Sequence, residues 1–145
     1  MRQPDERSIY CVYSDDLRDE IGGKSTIIGW YPEGGIFMPP EGPLLLQKLC
    51  ILALVTSPID RPFKTLRIQV SLGSNILQAI DVPEQAVVAM SQDSKPIKAQ
   101  VRNIHAKFAL QILNFVVNEP GVLEVTVIAD GKELKANPLE FVRTD

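Results

Sequence analysis

Cysteine is scarce in this chain of 145 residues: there are two, Cys11 and Cys50. That is too few for a disulfide framework, and both sit in apolar segments, where a free thiol behaves as a small buried hydrophobe. Histidine is scarcer still. His105 alone excludes a metal site built from two imidazoles, and no nucleophile or carboxylate stands near it in sequence to make a catalytic pair. No apolar run approaches the roughly 20 residues that a membrane-spanning helix needs; the longest is Leu49 to Val55. Charge of one sign is missing as well. Fifteen basic against 18 acidic residues leave a net charge of -3, which disfavours electrostatic capture by nucleic acid or an anionic membrane. The segment Met1 to Arg7 is polar and charged, without the apolar centre of a signal peptide, so a cytoplasmic or virion location is expected rather than secretion. Repeats, low-complexity tracts and linkers are absent, which leaves a polar N-terminal arm over 1–7 and one domain over 8–145.

What the sequence does contain is alternation. In Lys64 to Leu72, Leu66, Ile68, Val70 and Leu72 face one way while Thr65, Arg67, Gln69 and Ser71 face the other, a period of two. Gly73, Ser74 and Asn75 supply a turn, and Ile76 to Val82 reads as the return strand. A second hairpin starts at Pro120-Gly121, alternates Leu123, Val125, Val127 and Ala129 with Glu124, Thr126 and Ile128, and turns at Asp130-Gly131 into Leu134 to Val142. Ser8 to Tyr13 and Ser25 to Tyr31 are rich in β-branched and aromatic residues, and are expected to pair across a polar loop ending in Gly22-Gly23. Leu44 to Val55, bounded by Gly42-Pro43 and Ser57-Pro58, has the length and flanks of a sandwich-core strand. Ile97 to Val117 fits two patterns. Ile104, Ala106, Phe108, Leu110 and Ile112 alternate, whereas Val101, Ile104, Phe108, Ile112 and Phe115 recur at helical spacing; neighbouring strands favour the strand. Pro83 to Ser91 suits one short helix with Glu84 in its first turn. The pattern predicts an all-β chain, a single antiparallel β-sandwich of about seven to nine strands with at most one short helix. Its core should gather Leu66, Ile68, Val70, Phe108, Val125 and Val127, with Thr126 on the opposite face.

Strings that suggest chemistry fall short of it. Gly22-Gly23-Lys24-Ser25-Thr26 resembles the end of a phosphate-binding loop, but Arg18 stands where the first glycine belongs and a strand follows instead of a helix. A hairpin turn explains it better. Asp15, Asp16, Asp19 and Glu20 could offer oxygens to calcium, yet Arg18 and Lys24 are interspersed and the spacing matches no calcium loop, so a solvated loop is expected. His105 belongs to a strand surface. No catalytic, cofactor-binding or metal-ligating residue is assigned, and no cofactor is expected.

Trp30, Tyr31, Phe37 and Met38 are more informative, because they lie among Pro32, Gly34, Gly35, Pro39 and Pro40. Such a stretch either folds back over an open end of the core or presents anchors to a partner. Trp30 adjoins a strand and leans toward the core; Phe37 and Met38 fit either role. These four are the candidate partner-binding residues.

The string Ser14-Asp15-Asp16-Leu17-Arg18-Asp19-Glu20-Ile21-Gly22-Gly23-Lys24, with Ile27-Ile28-Gly29-Trp30-Tyr31 behind it, resembles the opening of an uncharacterised bacterial and prophage-associated family, a domain of unknown function. Leu49-Cys50, Pro58-Ile59-Asp60-Arg61-Pro62-Phe63 and Glu119-Pro120-Gly121 extend the likeness. Where members often carry a cysteine before the paired aspartates, this chain has Ser14. The resemblance implies a β-sandwich and assigns no activity. Together with the missing catalytic constellations, it leads to the expectation of a non-enzymatic interaction module: a homo-oligomer or a subunit docked on a larger assembly, such as a phage capsid decoration protein. The alternative is a cytoplasmic bacterial sensor or regulator that binds a small ligand or calcium.

Overall fold

A computed structural model describes residues 6–93 and 103–144. The described residues form ten strands and one helix: β1 (Ser8–Asp19), β2 (Ser25–Trp30), β3 (Gly35–Met38), β4 (Leu44–Pro58), β5 (Leu66–Leu72), β6 (Asn75–Asp81), α1 (Glu84–Asp93), β7 (Asn103–Val117), β8 (Gly121–Ala129), β9 (Lys132–Lys135) and β10 (Leu139–Arg143). The strands form two sheets. The front sheet runs β2-β1-β4-β7; the back sheet runs β3-β10-β8-β5-β6, with β9 also beside β8. Among the described residues no helix is long and apolar enough to cross a membrane.

The two longest strands, β4 and β7, pair antiparallel from Leu44↔Val117 to Pro58↔Asn103. Burial in β7 has a period of two: Ile104, Ala106, Phe108 and Leu110 are buried, while His105, Lys107, Ala109 and Gln111 are exposed. Pairing with β4 therefore settles the two-way pattern in favour of strand over 103–117; 97–102 lies outside the described residues. Near its far end the sheet creases. Asn114 has φ 52, Gln47 and Asn114 drop out of the register, and the buried side chains beyond them are Phe115 and Val117, of the other parity. That switch keeps both ends of a 15-residue strand facing the core.

In the back sheet, β8 lies between β5 on one side and β9 with β10 on the other. The segment expected as one return strand, Leu134 to Val142, is two. β9 pairs with the second half of β8, β10 with the first, and Asn137-Pro138 interrupts them because proline has no N–H for the ladder. Beyond β10, β3 adds in parallel, with Ile36 opposite Phe141. Against the expectation of about seven to nine strands the described residues form ten, and the expected antiparallel order fails at β3-β10. Leu66, Ile68, Val70, Phe108, Val125 and Val127 share one buried cluster, which draws on both sheets. Thr126, expected on the water side, is buried too, because its strand is central and Gln69 and Lys135 flank it. Helix α1 contributes Val87, 1% exposed.

Two polar junctions bind the layers. At the first, the Cys11 N–H donates to Asn137 Oδ1 (2.8 Å), Asn137 Nδ2 donates to Cys11 O (2.9 Å), and the Tyr13 hydroxyl donates to Asn137 O (2.6 Å). The break in the back sheet thereby completes an edge of the front sheet. At the second, Asp130 occupies a left-handed turn position (φ 51). Its Oδ1 accepts from the Lys64 and Thr65 N–H groups, 2.8 Å each, and Oδ2 accepts from Arg7 at 2.7 Å. Arg7, assigned to the polar arm, is thus pinned; it also donates to Ser57 Oγ and lies over the Phe63 ring, 4.9 Å from its centroid.

Burial opposes the Asp130 carboxylate, but the Thr65 N–H, Arg7 and the Lys64 N–H outweigh it and hold the carboxyl below the usual range. A carboxyl with a depressed folded pKa adds stability that is complete above the unfolded value of about 4 and is lost as pH falls through the folded value. Asp130→Ala should therefore cost about 2–3 kcal/mol at pH 7, the scale of charge-assisted hydrogen bonds lost together. Its gap from the parent chain should narrow as urea midpoints are followed from pH 5 into acid. A gap independent of pH would mean that the carboxylate charge adds nothing.

Candidate interaction face

The β1-β2 hairpin departs from the front sheet. Its turn centres on Gly22-Gly23, both with positive φ, so Ser25 reaches Asp19 and Trp30 reaches only Ser14. The expected pairing of Ser8 to Tyr13 with Ser25 to Tyr31 is corrected accordingly: Ser8 to Ser14 pairs with β4 instead. The acidic residues Asp15, Asp16 and Asp19, expected in a loop, extend β1 as a strand. At Ser14↔Cys50 the pairing with β4 ends, and Asp15 and Gly29 drop out of the β1-β2 register. Gly29 has φ +69, and a Cβ there would lie 2.3 Å from Asp15 Oδ2. Only glycine fits beside that carboxylate in that conformation. Past this break the hairpin forms a flap turned back over the outer face of its own sheet. Asp16 meets Lys48 of β4, and Lys107 Nζ of β7 donates to Ser25 Oγ at 3.1 Å.

The face beneath it is apolar. On the outward side of the sheet the register places Tyr10, Leu54 and Lys107 in one row, Val12, Leu52 and Ala109 in the next, and Trp30, Ser14, Cys50 and Gln111 in a third. Tyr10 and Trp30 are each 53% exposed and Leu54 39%, whereas Ser14 and Cys50 are fully buried under the flap. The sulfur of Cys50 faces Asp15 O at 3.9 Å. Burial raises the Cys50 thiol pKa and pushes that of Cys11, in the core, up to about 12.

Three acidic side chains of the flap, Asp15, Asp16 and Glu20, have separate partners. The Tyr31 hydroxyl donates to Asp15, and burial together with this bond pushes the Tyr31 pKa up to about 12. Lys48 donates to Asp16, which also accepts from the Leu17 N–H and lies 3.8 Å from Arg18. The Asp16 carboxyl is held below the usual range, first by the Lys48 hydrogen bond. Thr26 donates to Glu20. Among the described residues no group of three or more His, Cys, Asp or Glu side chains could hold a metal ion. His105 is exposed, with Nδ1 3.1 Å from Thr56 Oγ1.

The four candidate contact residues do not converge. Trp30, which leaned toward the core, is exposed on the outer front face, and Tyr31 is half-buried and bonded to Asp15. Phe37, 73% exposed, lies on the other side of the molecule, beside Val142. Met38 is 1% exposed, which corrects its place among the contact residues: alternation along β3 turns Ile36 and Met38 inward and Phe37 outward. Tyr10 and Leu54 were missed, although the double-sided apolar run of β4 marked its second face as one needing cover. No protein-family model matches the chain, and no curated protein matches it.

Proposed function

We propose that the protein is a non-enzymatic module, a single β-sandwich that works by protein-protein contact through the outer face of its front sheet. One observation carries this reading: β4 is apolar on both faces. Sheet strands of that kind are covered on both sides. The back sheet covers the inner side, and the flap covers only part of the outer one, leaving Tyr10, Trp30 and Leu54 exposed. Large aromatic and aliphatic side chains on a flat, regular surface are the usual anchors of an interface. The occupant is a second copy of the chain, since a symmetric dimer needs one self-complementary patch and no further partner. The resemblance to a prophage-associated family gives the reading its concrete form, a subunit of a phage particle such as a capsid decoration protein. The sensor alternative has less support, because Asp15, Asp16 and Glu20 of the flap are engaged by separate partners rather than turned to a common point.

Tyr10→Ser combined with Leu54→Ser tests the reading by light scattering. The parent chain is expected to be oligomeric and the variant at least roughly thirtyfold weaker in association, the loss typical of an anchor worth about 2 kcal/mol. Melting temperature should stay nearly unchanged, since both side chains point outward. A monomeric parent at high concentration, or a variant that loses melting temperature and keeps its mass, overturns it.

A further inference from the structure

We propose that the β1-β2 flap is a hinged strap, closed over part of the contact face in the isolated chain and opening about the Asp15/Gly29 break. Its role as a cover rests on reading this face as a contact surface; its opening does not. Four observations support it. First, the ladder to β4 stops at Ser14↔Cys50, so beyond it the flap is tied to β4 and β7 through side chains of those strands: Cys50 Sγ to Asp15 O at the hinge, Lys48 to Asp16 and Lys107 to Ser25. Polar contacts at a water-exposed surface hold weakly, and segments held so occupy the low end of local stability. Lys48 and Asp16 keep 33% and 29% of their side chains exposed.

Second, the break is built to bend. Gly29 has a backbone conformation that other residues adopt only under strain, and its Asp15 partner has left the register. Third, the flap carries little core of its own. Five of the six β2 residues are exposed, Ile27 and Ile28 are each 40% exposed and Ile21 at the tip is 95% exposed. Its opening therefore removes few packed contacts. Fourth, the closed flap hides what an open one would offer. Ser14 and Cys50 stand on the outward side of the front sheet, yet water does not reach them. Opening would extend the exposed face from Tyr10 and Leu54 across the Val12-Leu52 row to Cys50. A partner that needs the whole face binds only the open fraction, so the strap lowers apparent affinity by that fraction.

Cys50 reports on the opening and Cys11 on global unfolding, because the first lies under the flap and the second in the core. The experiment is timed labelling of both thiols with Ellman's reagent at pH 8, resolved by peptide mass mapping. It compares the parent chain with an Asp16→Asn, Lys107→Ala variant. Cys50 is expected to react at least roughly tenfold faster than Cys11 in the parent, the mark of local rather than global opening. The variant should speed Cys50 by a further factor of about five, the scale of loosened surface contacts, with Cys11 and melting temperature unchanged. Equal rates at the two thiols, or a Cys50 rate indifferent to the variant, overturn the strap. Neither result touches the contact-face reading, which the Tyr10 and Leu54 substitutions test separately.

Discussion

Phe141→Ala is expected to cost about 3–5 kcal/mol of folding stability, the range for removing a buried aromatic side chain without full collapse of the space. Phe141 is 2% exposed and sits in β10, flanked by Ile36 of β3 and by Gly121 of β8. Its ring meets Phe115 of β7 edge to face, with centroids 5.9 Å apart and planes at 84°. Three losses therefore coincide: apolar surface returned to water, a cavity between the sheets, and an aromatic pair. Gly121 has no side chain with which to fill the gap. The neighbouring Glu140→Ala, on the exposed side of the same strand, should stay within about 0.5 kcal/mol. Urea unfolding of the two variants decides the matter, and equal midpoints would mean that β10 does not join the sheets.

Asn137→Ala comes next in size, at about 2–4 kcal/mol, for a different reason. Its amide satisfies both backbone groups of Cys11, a residue 1% exposed. Removing it leaves a donor and an acceptor away from water, and each such group costs about 1–3 kcal/mol. Tyr13→Phe removes the bond to Asn137 O and the hydroxyl's contact with the Cys11 thiol, and should cost about 1–2 kcal/mol. Amide exchange at Cys11 separates this mechanism from general loosening: in Asn137→Ala it should quicken far more than at Val55 in the neighbouring strand. Uniform acceleration along β1 and β4 would show that the amide pairing is not what holds the junction.

Much of the architecture was legible wherever apolar residues alternate between turn signals, as in β5, β7 and β8, because burial on one face writes itself directly into a period of two. The mistaken segments have identifiable causes. Pro138 stood in the middle of an expected strand, and a missing N–H was the signal that β9 and β10 are separate. β3 was concealed by its neighbours: glycines and prolines marked a loop, while the three residues between them, Ile36, Phe37 and Met38, obey strand alternation, which alone would have parted Phe37 from Met38. Its parallel partner is far along the chain, and no local pattern reports such a pairing. The carboxylates of β1 disguised a strand as a solvated loop, since in the flap Asp15 and Asp19 stay exposed and Asp16 pairs with Lys48, so a strand there tolerates the charge. Gly29, alone inside an apolar strand, was the available sign of the bend. The candidate face was only half legible, because Trp30 ends a strand whose register, and hence whose outward side, is set by Ser14.

The position of β10 has a consequence for vectorial synthesis. It is an interior strand, with β3 on one side and β8 on the other, and Thr144 still bonds to Met38, 106 residues earlier. Residues 35–38 leave the ribosome well before their strand partner, residues 140–143, which follows the other back-sheet strands. A nascent chain halted at Pro138 can close the β5-β6 hairpin and form the β4-β7 pair, but β3 then has no neighbour and Ile36 and Met38 have no wall to pack against. The back sheet closes only when β3 is joined by the much later β10, and pauses in translation upstream of β10 would prolong the exposure of that apolar strand to whatever else could pair with it.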